Sequence, residues 1–346
     1  MTKMYKEILQ ASESVQNALT ENSTMIDTIA KEIKKRKVKC VYFSARGTSM
    51  HAGLMMKYLI ETYVGIPCAM AAPSIFTAYN GKLLLKNCLV LAISQSGAGQ
   101  DVLEVLERGR EQGALTVAMT NCKGSKIDLA AEYSLDLCCF PEEAVAATKS
   151  FICQLALGAA LTARLSGDKE LKKELKALPK LIEKVYRLEP KLDPIAQRYY
   201  HAFEGFIVAR GLLTPIAFEA ALKTQETTYS RFRGMPMSEF LHGPIAQVEA
   251  HMPVIVFAAD TATDAFAEGV LRRLKEEIGA EVFLITNKPE LLPLSDLNIL
   301  LPAECEGFSG GVGAILLIQL FVLKLSALRG IDTDNPRGLN KVTITR

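Results

Sequence analysis

Short apolar runs and longer amphipathic stretches take turns along this chain. VKCVYFSA gives way to a helical pattern from about Ser49 to Val64, CLVLAIS to another that reaches Gln112, and ALTVAMT follows. Apolar runs of strand length suit strands buried on both faces, and between them apolar positions recur at helical spacing. The alternation predicts βαβ units, and with them an α/β fold in which a parallel sheet is doubly wound by helices.

The pattern then repeats. Laid on itself with a shift of 164 residues, the chain brings Ala45-Arg46-Gly47 onto Ala209-Arg210-Gly211 and the LAIS strand close to the IVFA strand that ends at Ala258. Thr120-Asn121 meets Thr286-Asn287 at a shift of 166, and YSLDL at Tyr133 falls near LNILL at Leu297. Four strands recurring in one order predict two tandem copies of one doubly wound parallel-sheet domain. Between them, SGDKELKKELKALPKLIEKVYRLEPKL is rich in Lys and Glu with Leu at helical spacing, which predicts a solvated connecting helix. The expected divisions are a first domain with an N-terminal helix over 1–165, a linker helix over 166–192, and a second domain with a C-terminal tail over 193–346.

Composition narrows the functional classes. Forty Lys and Arg against 38 Asp and Glu leave no basic field for nucleic acid or an anionic membrane, so any bound anion is held locally. AILLIQLFVLKLSAL from Ala314 is broken by Gln319 and Lys324 and falls short of the roughly 20 apolar residues of a membrane span, so a buried helix is expected. MTKMYKEILQASESV lacks the apolar core of a signal peptide. The eight cysteines show neither CxxC pairs nor zinc spacing, which predicts reduced thiols, no metal site and a cytoplasmic location.

Ligands of open α/β sheets lie beyond the carboxyl ends of the strands. Three polar loops fall there: Arg46 to Ser49, Ser94 to Gly99 within ISQSGAGQD, and Glu142 to Phe151. Hydroxyls of Ser49, Ser94 and Ser96, the Gln95 amide, and close backbone approach at Gly97 and Gly99 suit a phosphate at helix N-termini; either loop alone reads as ordinary helix capping, and it is the two on neighbouring strands that favour the phosphate. The second copy has GLLTPIAFE and ADTATDAF instead, so the phosphate is expected on the first. PIAFEAALKTQETTYS places Glu219, Lys223 and Glu226 on one helical face. A surface salt-bridge row is one reading; the apolar neighbours favour burial, where a carboxylate beside a lysine stays ionised and can accept a proton. His242 precedes a Gly-Pro turn, which suits a structural or a catalytic side chain. Lys341 stands in a polar tail that composition alone would let fray. No loop has the GxGxxG spacing of a dinucleotide site.

GTSMHAG at Gly47, SQSG at Ser94, VAATKSF at Val145, FEAALKTQE at Phe218, EFLHGP at Glu239 and NPRGLNK at Asn335 resemble, in order, the motifs of the double sugar-isomerase (SIS) domain of the glucosamine-6-phosphate synthase family, and the KEI of MYKEILQ resembles its start. The resemblance implies flavodoxin-like SIS domains and a site for a sugar 6-phosphate. Ser49, Ser94, Gln95 and Ser96 would hold the phosphate, with Thr48 and Val145 lining the sugar pocket. Glu226 corresponds to the base that moves a proton between C1 and C2, His242 to the histidine assisting ring opening, Lys341 to the tail lysine over the sugar, and Lys223 to the lysine on the base's own helix. It also implies a homodimer with a shared active site, because the histidine loop comes from the partner subunit in that family.

The departures matter. SQSGET has become SQSGAG, so the threonine position is Gly99 and only its backbone N–H is left; the serine of VASTK is Ala147. No glutaminase domain lies within these residues, so ammonia drawn from glutamine is not expected. The expected activity is therefore that of a phosphosugar isomerase/deaminase or deglycase acting on an amino-hexose 6-phosphate or fructosamine 6-phosphate, with no cofactor, since an aldose-ketose shift needs only acid-base groups and enediol stabilisation. A phosphosugar-binding sensor and a simple aldose-ketose phosphate isomerase are the alternatives.

Overall fold

A computed structural model describes residues 1–341 of the 346. Three helices open the chain, α1 (Lys3–Leu9), α2 (Ala11–Glu21) and α3 (Ser23–Lys35), before the first βα run: β1 (Cys40–Ala45), α4 (Gly47–Tyr63), β2 (Cys68–Met70), α5 (Ser74–Thr77), β3 (Cys88–Ile93), α6 (Gln100–Glu111), β4 (Leu115–Thr120), α7 (Lys126–Ala130) and β5 (Tyr133–Asp136). Two long helices, α8 (Lys149–Ser166) and α9 (Lys169–Tyr186), lead through α10 (Leu192–Arg198) to the second run. This comprises β6 (Glu204–Ala209), α11 (Thr214–Thr228), β7 (Arg231–Pro236), α12 (Met237–Leu241), β8 (Pro253–Ala258), α13 (Asp264–Arg272), β9 (Glu281–Thr286), β10 (Leu297–Leu300) and α14 (Gly307–Leu328).

The chain forms two compact units. The first holds Gln10–Glu143, Ala147–Pro179 and, of the tail, Asn340 and Lys341; the second holds Met1–Leu9, Ala144–Ala146 and Lys180–Leu339. Each has a five-stranded parallel sheet, ordered β2-β1-β3-β4-β5 in the first and β10-β9-β8-β6-β7 in the second. Counted within each unit, both orders are 2-1-3-4-5, the flavodoxin-like arrangement, in which the strand order turns at the first and third strands. The register Cys40↔Cys88 through Ala45↔Ile93 brings the ends of β1 and β3 side by side.

Parallel strands form here because CVYFSA, CLVLAI and LTVAMT are apolar on both faces and are covered on both. In the first unit Val90, Ala92, Val102, Val105, Leu106 and Ala118 form a core under α6. In the second, Phe206, Val256, Leu271, Val282 and Phe240 do the same beside α12 and α13. The helix expected from Ser49 begins at Gly47, whose φ of +52° lets the backbone turn straight out of β1 into α4. α9 is more than a solvated connector, since Leu171, Leu175, Leu178, Ile182 and Val185 are buried along one face. α14 corrects one expectation, since at 22 residues with a mean hydropathy of 2.1 it does not fall short of a membrane span by length and composition; 83% of that stretch is nevertheless buried inside the protein, as a core helix requires.

Candidate active site

In the first unit the N-termini of α4 and α6 follow the ends of β1 and β3. Among the described residues neither α4 nor α6 has a side-chain N-cap hydrogen bond: Arg46 precedes one and Gly99 the other, both with extended backbone, which leaves first-turn N–H groups without that partner. The loop between β3 and α6 turns its carbonyls inward. Ser94 O accepts from Gly97 N, Gln95 O from Asn121 N and Thr120 Oγ1, and Gly97 O from Ile127 N. That inward set leaves the half-buried side chains of Ser94, Gln95 and Ser96 at the mouth. Gly97 is required there, because its φ is +61° and an added Cβ would sit 2.5 Å from Ser125 Cβ. Gly99 is not, since its φ of −63° suits any residue and an added Cβ would only touch Val102 at 3.4 Å.

Thr48 is half-buried and Ser49 buried in the first turn of α4. Gln154 Nε2, on α8, donates to Ser49 Oγ at 3.0 Å and so turns the serine proton elsewhere. Gln154 Oε1 is buried without a hydrogen-bond partner among the described residues. Asp101 is buried in the first turn of α6, where its charge would compete with an anion; Arg46 Nε, 2.6 Å from Asp101 Oδ2, offsets that charge and ties the two loops together. Neither Gln154 nor Asp101 stood out in the sequence. The one available signal for Gln154 was a lone amide inside the apolar run FICQLALG.

The third polar loop is held by charges. Lys149, fully buried, donates to Pro141 O at 2.7 Å and Gln10 Oε1 at 2.6 Å. Glu142 is buried too, and its carboxylate meets Lys341 Nζ at 3.2 Å, so Lys341 belongs to the unit of the serine loops. Burial pushes the Glu142 carboxyl up, but Lys341, the Ser150 hydroxyl and the Thr148 and Ser150 amides outweigh it and hold the group below its ordinary value. Val145 is half-buried in the short segment assigned to the second unit, where the preceding residue, Ala144, donates its N–H to the buried Glu7 carboxylate at 3.2 Å, which gives the KEI motif a structural role.

The second unit holds the row of Glu219, Lys223 and Glu226. Lys223 and Glu219 are completely buried on α11 with Nζ and Oε1 3.3 Å apart, and Lys223 lies 2.5 Å from Glu226, whose side chain is 22% exposed. The surface-row alternative is thus excluded. Burial pulls the Lys223 ammonium down, yet Glu219 and Glu226 together raise it well above its ordinary value, so it remains charged. Glu226 is the member of the row that reaches solvent. Beyond α11, Tyr229 takes a left-handed conformation, and Arg329 caps the helix by donating to Thr228 O as well as Tyr199 O and Ala202 O. Arg337 of the NPRG tail stacks on the Tyr229 ring at 4.6 Å. His242 is exposed at the end of α12, followed by Gly243 at φ +136°.

The loop of this unit that corresponds to the serine loop already holds an anion of its own. The Glu306 carboxylate, at the N-terminus of α14, accepts from Thr261 N, from Asn287 Nδ2 at 2.9 Å and from Lys288 Nζ at 2.9 Å. Against the upward push of burial, these donors hold it down at about 2. The strand-end loops of the two copies have therefore diverged in what they hold.

Comparison with known proteins follows the same division. The sequence profile of the SIS domain matches residues 34–164 and again 199–329. Over 99% of its length the chain is 32% identical to the glutamine–fructose-6-phosphate aminotransferase (isomerizing) of Aquifex aeolicus, covering 57% of that protein, and over 88% it is 30% identical to the like-named protein of Thermus thermophilus, covering 52%. It spans about half the length of the curated relatives it matches. Among solved structures, a candidate phosphosugar isomerase from Silicibacter pomeroyi DSS-3 superposes with a TM-score of 0.87 at 28% identity, over 96% of this chain and 100% of that one. Glucosamine-6-phosphate deaminase from Thermotoga maritima does so with a TM-score of 0.78 at 19% identity, over 99% and 100%, a likeness of fold alone.

Proposed function

This chain belongs to the SIS-domain family, and from that premise we propose that it is an enzyme, a phosphosugar isomerase/deaminase or deglycase that moves a proton between C1 and C2 of an amino-hexose 6-phosphate or a fructosamine 6-phosphate. The observation that carries this reading is the buried Lys223 clamped by Glu219 and Glu226, with Glu226 alone reaching solvent. The Lys223 ammonium holds that carboxylate in place and steadies negative charge developing on the substrate.

On the serine-loop unit, Ser49, Ser94, Gln95 and Ser96 hold the phosphate, with the Gly99 N–H and Thr48 beside them; Val145 lines the sugar pocket. His242 assists ring opening and Lys341 attends the open-chain sugar. With a 2-amino aldose, Glu226 takes the C2 proton and returns it to C1, leaving a C2 imine that water cleaves to a ketose phosphate and ammonia. With a fructosamine, the proton moves from C1 to C2, and water cleaves the C1 imine to an aldose phosphate and the free amine. No redox carrier is called for. We place this work in the cytoplasm.

The test is to incubate the protein with glucosamine 6-phosphate and with fructoselysine 6-phosphate while measuring ammonia, free lysine and hexose phosphate. Turnover of either substrate is expected, and Glu226→Gln should lower kcat by about 1000-fold or more while phosphate affinity holds. Tight binding with no turnover across the panel would make the protein a sensor, and turnover surviving in Glu226→Gln would remove the assigned base.

A further inference from the structure

We propose that Glu142 is a positioning residue, the fixed counter-charge that sets where the Lys341 ammonium stands. The two oxygens of its carboxylate have separate duties. Oε1 accepts from Thr148 N at 3.0 Å and Ser150 N at 3.1 Å, closing the N-terminus of α8. Oε2 accepts from Ser150 Oγ at 2.6 Å and from Lys341 Nζ at 3.2 Å. One oxygen builds the helix end, and the other takes hold of a lysine 199 residues away in sequence.

The glutamate is itself rigidly placed. Its side chain is 0% exposed, and the loop before it passes through left-handed conformations at Cys138 (φ +48°) and Phe140 (φ +53°), which ordinary residues adopt only when their surroundings enforce it. Asn121, which donates to Phe140 O and accepts from Cys139 N, and Lys149 of α8, which donates to Pro141 O, hold this loop. Lys341, by contrast, lies outside regular secondary structure with a side chain 25% exposed, so no helix or strand aims it. A flexible ammonium without backbone guidance acquires a defined place from a buried charge that cannot move. Among the described residues the charged groups near Glu142 include Lys341 on the tail, Lys149 on α8 and the neighbouring Glu143; the Cys153 thiol of α8 also feels its charge and stays protonated, pushed up by burial first.

This division of labour makes Glu142→Gln a selective change. The amide oxygen can replace Oε1 on the α8 amides, and the amide nitrogen can donate to Ser150 Oγ, but it turns N–H toward the Lys341 ammonium, donor against donor. Glu142→Gln should therefore fold and melt like the wild type while Lys341 becomes severalfold more reactive toward an amine-acetylating reagent, read at that residue by peptide mass spectrometry. Because the kinetic effect rests on the isomerase reading of this site, labelling is measured independently of turnover. In a chain that turns over substrate, Glu142→Gln should lower kcat by about 100-fold with a smaller change in KM, and the double variant with Lys341→Met should be no worse than Lys341→Met alone.

A second variant guards against a Glu142→Gln chain that does not fold. Lys341→Met strands a buried carboxylate, so it should melt several degrees below wild type at neutral pH, with the gap closing as the pH falls and Glu142 takes up a proton. Unchanged Lys341 labelling in a folded Glu142→Gln chain, additive kinetic losses, or a Lys341→Met chain that melts like wild type at every pH would each overturn the assignment. Loss of turnover substrates alone would sink the isomerase reading and leave the labelling result standing.

Discussion

Single residues decide how well the serine loop can hold an anion. Gly97 has no substitute, whereas Gly99 has ordinary backbone angles, and an added Cβ there would meet Val102 and Asp101 at ordinary contact distance. Gly99→Thr should therefore fold with stability within about 0.5 kcal/mol of wild type, Gly and Thr being near equals as N-caps. If the phosphate lies against the α6 N-terminus, the added hydroxyl should tighten inorganic phosphate or substrate binding by about threefold to tenfold, measured by calorimetry. Weaker binding would mean that the bare glycine backbone is what the phosphate requires. The serine motif itself was legible in the sequence as a strand-to-helix loop. The partners that orient it were not: Gln154 on Ser49, and Asp101 beside Arg46, come from elements whose approach no local pattern encodes.

At the scale of elements, α11 is the one whose charges matter most. Its spacing put Glu219, Lys223 and Glu226 on one face, but the same spacing serves an exposed salt-bridge row, and only packing beneath α14 and beside β7 makes the row a buried one. The distinction has a measurable size. Lys223→Met leaves Glu219 buried without its ammonium, and unfolding in urea should show a loss of about 3–5 kcal/mol, the usual cost of breaking a buried pair. Removing an exposed helical cation such as Arg272, which pairs with Glu268 and Glu276 in solvent, should shift the same curve by no more than its scatter. A small loss for Lys223→Met would mean that water reaches the row. α9 teaches the converse lesson, for its Lys and Glu residues suggested a solvated rod while its Leu face is buried.

For the whole molecule, the homodimer that the resemblance implies makes a prediction that no single chain can satisfy. If exposed His242 serves a neighbouring subunit of a homodimer, chains carrying Glu226→Gln and chains carrying His242→Ala, each nearly inactive alone, should recover part of wild-type turnover when unfolded and refolded together, because the hybrid dimer has one intact pair. Mixtures no more active than their components would confine the histidine to its own chain. What the sequence by itself determined about this protein is its element order, its parallel strands and its duplication, because hydrophobic periodicity is a local property that survives in any correct reading of the chain. Tertiary structure alone decided that the corresponding loop of the second copy is filled by Glu306, that Lys223 is buried, and that Lys341 meets Glu142. Such pairings depend on contacts of about 3 Å between segments distant in sequence, and the position of one segment relative to another is set by packing, which residue spacing does not carry.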